Sequence, residues 1–203
     1  MNKRDFKKEL KHLYQPSAKE FSVVDVPSLN FLMIDGHGNP NTSPDYTAAI
    51  EALYSLAYTI KFALKPKGID FVVGPSEGLW WMEDMRQFSQ ENKDRWDWTM
   101  MILQPEEVTQ EIFEQSKIQA AKKKDLPALQ GLRLETYNEG LSVQILYFGA
   151  YADEGPTIAR MHAFIHDNSY EMNGKHHEIY LGDPRRMAPE KLKTIIRQPI
   201  KRI

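Results

Sequence analysis

The fold of this 203-residue chain is decided by two similar stretches, GLWWMED at residues 78–84 and HEIYLGD at residues 177–183. Short runs of large apolar and aromatic residues of this kind are typical of β-strands. A Gln-Pro dipeptide closes the segment that follows each stretch, at 104–105 and at 198–199. The chain therefore contains an internal repeat, and we expect two similar halves.

The correspondence extends to the start of each half, because Gly36 follows FLMID as Gly149 follows QILYF. Each half is predicted as strand–strand–helix–strand–strand. The first half has predicted strands at 21–26 and 30–35, a helix from 44 to about 65, and a twisted hairpin made of 69–73, 78–82 and 96–103 with a polar connection at 83–95. The second has predicted strands at 132–137, 141–150, 176–181 and 193–199 and a helix at 154–167. A further helix is predicted at 108–124, inside the linking segment 104–130.

Turn-forming residues separate the paired strands, with Pro27-Ser28 in the first half and Asn138-Glu-Gly140 in the second. The fold class that follows is α+β, with a duplicated strand–strand–helix–strand–strand unit. We predict a twisted eight-stranded antiparallel sheet with two long helices on one face. The other face would be curved and uncovered, which makes it the expected place for a central ligand cleft.

The chain is expected to divide into an N-terminal helical extension at 1–19 and one domain at 20–203. Within the extension, Phe6, Leu10 and Leu13 have the spacing of an amphipathic helix that packs on the rest of the protein. The domain contains the two repeats, at about 20–105 and 130–200.

Composition excludes several classes of protein. The 26 Lys and Arg residues against 28 Asp and Glu argue against nucleic acid as a direct partner. The absence of cysteine excludes disulfides, thiolate metal sites and cysteine nucleophiles. No signal peptide or membrane-spanning stretch is evident, so we expect a cytoplasmic protein without a membrane partner. The oligomeric state is not predicted.

The segment KHHEIYLGDPRRMAPEKLKTIIRQPI at 175–200 resembles the GyrI-like small-molecule-binding family, which is related to the SOUL domain. The resemblance covers nearly all of the chain from about residue 20. It implies a ligand cleft whose polar base is Glu178, lined by aromatic rings that hold flat hydrophobic compounds. A subfamily similar to this chain opens the cyclopropane ring of spirocyclic DNA-alkylating agents by adding water.

Glu178 is the first candidate catalytic residue. Strand alternation places His176, Glu178 and Tyr180 on one face of their strand. If the carboxylate is buried, its pKa should rise towards neutrality, which would suit it to activate a water molecule. The structural alternative is a salt bridge with Arg185 or Arg186. His176 and Tyr180 are candidate ligand-binding neighbours.

The tryptophans are candidate walls of an aromatic slot. The repeat aligns Trp81 with Tyr180, which predicts that Trp81 faces the ligand and that Trp80 packs under the helices. Trp96, Trp98 and Met100 should share a face of the partner strand, where cross-strand neighbours lie about 5 Å apart. Trp81 and Trp98 would then form the slot. The alternative is that these rings are simply core or an oligomer surface.

Tyr147 is the second candidate catalytic residue, as a hydrogen-bond donor to a ligand oxygen. The alternative is a core tyrosine bonded to a backbone carbonyl. His162 and His166 have the i, i+4 spacing that metal ligands use, but the segment HAFIH lacks the Glu of the zinc-protease motif. We therefore predict no metal and no cofactor.

Together these observations and the resemblance predict a protein that binds flat hydrophobic xenobiotics. It would hydrolyse the strained cyclopropane of DNA-alkylating agents, with water as the nucleophile. Two alternatives stay open. One is a binding protein without turnover, which sequesters toxins or modulates a partner such as a topoisomerase. The other is a structural or assembly protein that responds to no ligand.

Overall fold

The computed structural model describes residues 3–85 and 88–203. Arg86 and Gln87, which belong to the predicted polar connection, lie outside the described residues. The chain begins with two helical turns, α1 (Phe6–Glu9) and α2 (Lys11–Tyr14). Leu13 and Tyr14 are buried in the core, so the predicted packing of this N-terminal segment on the rest of the protein is confirmed.

Within the described residues, seven antiparallel strands form the sheet. They are β1 (Ser22–His37), β2 (Glu77–Trp81), β3 (Asp97–Gln104), β4 (Arg133–Phe148), β5 (Tyr170–Met172), β6 (His176–Tyr180) and β7 (Lys193–Arg202). Their order is β4-β1-β3-β2-β6-β7-β5, and β4 also pairs with β7. That pairing closes six strands into a barrel-like ring, with β5 added at one side. The α+β class and the antiparallel pairing are confirmed, but the predicted number of eight strands is wrong.

The two predicted strand pairs at the start of each half are single long strands. β1 replaces the strands at 21–26 and 30–35, and β4 replaces those at 132–137 and 141–150. Pro27 does not end β1, because β3 pairs with β1 only from Asn30 onward. At Pro27 one side of β1 is therefore free of a partner strand, so a missing N–H group is tolerated there.

The predicted strand at 69–73 is also wrong. Only Phe71 makes a bridge there, to Arg4 in the N-terminal segment. The Phe71 side chain is fully buried and its ring lies 6.4 Å from that of Phe6. Burial without strand pairing explains why the apolar pattern resembled a strand.

Three longer helices complete the fold, α3 (Pro44–Leu64), α4 (Gln110–Lys123) and α5 (Gly155–Asp167). α3 begins as predicted, with the Ser43 side chain accepting a hydrogen bond from the Tyr46 backbone and with Pro44 in the first turn. It packs against β1, β3 and α4, while α5 packs against β4 and β5. None of the helices in the described chain is long and apolar enough to cross a bilayer.

The absence of a side chain at Gly36 makes room for the ring of Trp98, its partner in the neighbouring strand β3. A Cβ atom at Gly36 would lie 2.0 Å from the Trp98 ring, so the ring occupies the space that any other residue would fill. We expect Gly36→Ala to lower the free energy of unfolding by about 1–3 kcal/mol, the usual cost of overpacking. Gly74→Ala is the matched control, because a Cβ atom at Gly74 would meet nothing within 4 Å. Urea unfolding would check this, and equal stability of the two variants would contradict it.

Candidate functional site

Glu178 lies in the middle of β6, and its side chain is 15% exposed. Oε2 accepts a hydrogen bond of 2.8 Å from the Tyr180 hydroxyl, and Oε1 lies 3.2 Å from Nε2 of His176. The Tyr180 hydroxyl in turn accepts a hydrogen bond of 3.0 Å from Nε1 of Trp80. The predicted sharing of one face by His176, Glu178 and Tyr180 is therefore confirmed. Arg185 and Arg186 both pair with Asp183, which rules out the salt-bridge alternative.

The expected rise in the pKa of Glu178 is wrong. Burial does raise it, but the hydrogen bonds from His176 and Tyr180, together with the neighbouring carboxyl group of Glu154, outweigh burial and hold the pKa below its ordinary value. A carboxylate that accepts several hydrogen bonds is stabilised in its charged form. Glu178 is therefore ionised at neutral pH.

Glu154 is the functional candidate that the sequence did not reveal. It is the residue before α5, yet its side chain does not cap the helix and is only 1% exposed. Burial and the charge of Glu178 raise its pKa to about 10, so Glu154 carries a proton at neutral pH. Two neighbouring carboxyl groups, one charged and one protonated, thus hold one proton between them.

The structure reverses which of the two adjacent tryptophans faces Glu178, although Trp80 does pack beside α3 as predicted, with its ring 6.1 Å from that of Tyr46. β2 and β6 pair with Trp80 opposite His176 and with Gly78 opposite Glu178. Trp80 therefore faces Glu178, whereas Trp81 points to the other side of the sheet, where the Lys175 ammonium lies 3.3 Å from its ring centroid. The absence of a side chain at Gly78 lets the Trp80 ring lean over it, since a Cβ there would lie 2.6 Å from Nε1 of Trp80.

Trp98 shares the face of Glu178, as predicted, but it is almost fully buried. It pairs with Trp80 across β2 and β3, and Tyr46 of α3 contacts it edge-on at 5.4 Å between ring centroids. Trp96 packs against Trp80 at 5.6 Å. These indoles form the base of an aromatic cluster. The rings that keep some exposure beside Glu178 are tyrosines, namely Tyr46, Tyr151 and Tyr180.

Tyr147 lies on the same face as Glu178, because Thr194 of β7 pairs with both Tyr147 and Tyr180. Its hydroxyl donates a hydrogen bond of 3.3 Å to the backbone carbonyl of Ala150. A hydrogen bond to a backbone carbonyl is what the alternative of a core tyrosine predicts for Tyr147. Burial and the nearby Glu154 carboxyl raise the Tyr147 pKa, so its phenol keeps its proton. A catalytic role for Tyr147 stays a prediction.

The opposite face of the sheet carries a second cluster of buried charges, which we call the Arg197 network. His177 lies 2.8 Å from Glu139 and 3.1 Å from Glu77, and Arg197 donates to Glu139 at 3.0 Å. Tyr14 of α2 donates to Glu77 at 2.6 Å. Burial lowers the pKa of His177, but the two carboxylates raise it to about 9. The pKa of Glu139 is held at about 2 by His177 and Arg197, against the effect of burial.

The central ligand cleft at Glu178 stays a prediction. A cavity of about 320 Å³ lies beside the N-terminal helices, lined by residues that include Lys7, Tyr14 and Lys193.

His162 is half-buried and His166 is exposed. In residues 3–85 and 88–203, no three His, Asp or Glu side chains are grouped as metal ligands would be.

Sequence comparison identifies the family of the chain. The model of the GyrI-like small-molecule-binding domain matches residues 19–201, nearly the whole chain and the entire sheet up to Lys201. The chain belongs to the GyrI-like small-molecule-binding family. The predicted resemblance is thereby confirmed at the level of the family. No curated protein matches the chain.

Solved structures give the same result for the fold. A conserved protein of Listeria innocua described as uncharacterized is 41% identical over 98% of this chain and 100% of its own, with a TM-score of 0.92. A second protein of that organism, described as a hydrolase encoded by lin2189, is 40% identical over 98% and 100% of the two chains, with a TM-score of 0.89. The C-terminal domain of EcmrR, only 11% identical over 91% and 98%, shares the fold with a TM-score of 0.55.

Proposed function

We propose that this GyrI-like protein binds flat hydrophobic compounds over Glu178 and hydrolyses those that contain a strained cyclopropane ring, a detoxification reaction. The observation that carries the proposal is the Glu178 carboxylate, which is ionised, largely buried and fixed by His176 and Tyr180 within an aromatic cluster. The description of a 40% identical relative as a hydrolase supports an enzymatic reading.

The aromatic surroundings favour a flat ligand. Tyr46, Tyr151 and Tyr180 retain exposed surface around Glu178, and their rings can stack on a planar compound. Trp80 and Trp98 pack against Tyr46, and Trp80 donates a hydrogen bond to Tyr180. We therefore assign the ligand contacts to the tyrosines, in place of the predicted Trp81, which points to the other side of the sheet. The predicted slot between Trp81 and Trp98 is abandoned.

A cyclopropane conjugated to a dienone needs little help to open, because opening releases ring strain and forms an aromatic phenol. The protein has to orient the compound and hold a water molecule at the ring carbon. Glu178 is suited to hold that water and to accept its proton during attack. Tyr147 is the proposed hydrogen-bond donor to the oxygen that becomes the phenolate, since it shares the face of Glu178.

The direct test is incubation with a spirocyclopropane dienone, followed by mass spectrometry. We expect a product heavier by one water molecule, formed at a rate proportional to protein concentration. Heat-unfolded protein is the control for spontaneous hydrolysis. Recovery of intact compound after saturation of the site would contradict hydrolysis.

One observation favours the alternative of binding without turnover. The lowered pKa of Glu178 makes it a better partner for a cation than a proton acceptor. In that case a planar cation would quench tryptophan fluorescence stoichiometrically, and the spirocyclic compound would be recovered unchanged. Trp80 and Trp96 of the cluster would report such binding.

A further inference from the structure

Glu154 occupies the N-cap position of α5, but its side chain does not cap the helix. A charged Glu at a helix N-terminus is stabilised by the helix dipole and by backbone N–H groups. Here the side chain makes no cap hydrogen bond and turns inward, where it is 1% exposed. The helix thus forgoes a stabilising contact, and the carboxyl group is placed against Glu178 instead.

The oxygen Oε1 of Glu154 is buried without a hydrogen bond of normal geometry anywhere in the described chain. The same is true of Oγ1 of Thr194, although Thr194 lies close enough to counteract part of the rise in the Glu154 pKa. Buried polar atoms nearly always have partners, and exceptions call for an explanation. A ligand oxygen that arrives beside the pair would supply one.

We propose that Glu154 is the proton donor for the ring opening, and that Glu154 and Glu178 pass a single proton between them during each turnover. The inference rests on the proposed function. It adds a second carboxyl group with the opposite role to that of Glu178, one group protonated and the other charged.

The protons balance over the reaction. The water oxygen bonds to the ring carbon as the bond from that carbon to the spiro carbon breaks, and the electron pair moves to the carbonyl oxygen. One water proton passes to Glu178, while the proton on Glu154 passes to the developing phenolate. The pair then holds one proton on Glu178, and the return of that proton to Glu154 restores the starting state.

The coupling between the two groups helps each step. When Glu154 gives up its proton it becomes a negative charge beside Glu178, and this raises the proton affinity of Glu178 as the water is deprotonated. The titratable and charged groups that face the pair come from several elements. They are His176 and Tyr180 of β6, Tyr147 of β4, Tyr151 before α5, Tyr46 of α3, and Lys93 of the segment before β3.

The test compares Glu154→Gln with the unsubstituted protein. The amide can still donate a hydrogen bond to Glu178, but it cannot transfer a proton. We expect E154Q to bind the spirocyclic compound with unchanged affinity, measured by tryptophan quenching, and to lose at least about 100-fold in kcat, the usual contribution of a general acid. The rate of the unsubstituted protein should fall as the pH rises through about 10. In E154Q this dependence should be absent, and E154D should recover part of the rate.

A measurement independent of activity locates the proton. The infrared difference spectrum between the unsubstituted protein and E154Q at pH 7 should contain the carbonyl band of a protonated carboxyl group. Absence of that band overturns the inference, as does full activity of E154Q. If the unsubstituted protein and E154Q hydrolyse the compound at the same rate, the donor role fails and the proposed function survives. If the unsubstituted protein leaves the compound intact, the proposed function fails and the donor role fails with it, whatever the spectrum shows.

Discussion

Replacement of Glu178 by Gln is expected to lower the rate of ring opening by at least about 100-fold, because the amide cannot accept a proton from water. The effect should lie in kcat, since the aromatic cluster that would hold the compound is unchanged. A second consequence concerns Glu154. Without the neighbouring negative charge its pKa should move down towards the ordinary value for Glu. Steady-state kinetics and the infrared carboxyl band measure the two effects separately.

The matched control is Glu171→Gln in β5, which removes a carboxylate that is 53% exposed and pairs only on the surface with Lys201. This variant should keep the full rate. E178Q should remain folded, because the side chains of His176 and Tyr180 can still bond to the amide. Equal rates for E178Q and the unsubstituted protein would remove Glu178 from the mechanism.

Replacement of Arg197 by Met is expected to give the largest loss of stability. Arg197 is 3% exposed and donates to Glu139, to Gln144 and to the backbone carbonyl of Leu13. Loss of one partner of a buried charge pair leaves the other charge uncompensated, which costs about 3–5 kcal/mol. For a chain of this length that corresponds to a decrease in Tm of about 6–20 °C. Thermal unfolding followed by circular dichroism measures it.

Arg202→Met at the end of the same strand is the control, because that position is exposed and should tolerate the change. Adding Glu139→Gln to the Arg197 variant removes the uncompensated carboxylate, and we expect part of the stability to return. If R197M is as stable as the Arg202 variant, the Arg197 network contributes little to the fold.

Much of the site could be predicted from β6 alone. Strand alternation is a local property, so the sequence HHEIY is enough to place His176, Glu178 and Tyr180 on one face. The choice between Trp80 and Trp81 depends instead on how β2 pairs with β6. That register joins residues about a hundred positions apart, and an alignment of the two repeats carries no information about it. A shift of one residue reverses which tryptophan faces the ligand.

Glu154 could not be found from the sequence, for a different reason. Its neighbours Gly155 and Pro156 mark it as a residue at a helix start, where a charged carboxylate is ordinary. Its proton depends on contact with Glu178, in another strand, and on burial by the rest of the fold. The sequence at Pro27 likewise predicts a turn where the structure has a continuous strand β1. Only the pairing partners show that one side of the strand is free at this position.

The adjacent residues His177 and Glu178 give β6 two chemically opposite faces, a positively charged one inside the Arg197 network and a negatively charged one at the proposed ligand site. Insertion or deletion of a single residue within β6 would turn an imidazolium ring towards the ligand and place a carboxylate among Glu77 and Glu139. We therefore expect no insertions or deletions within β6, in natural or in engineered variants. Variation in length should concentrate in segments such as 183–191, which is largely exposed and follows the strand. Changes of length there leave both charged faces of β6 in place.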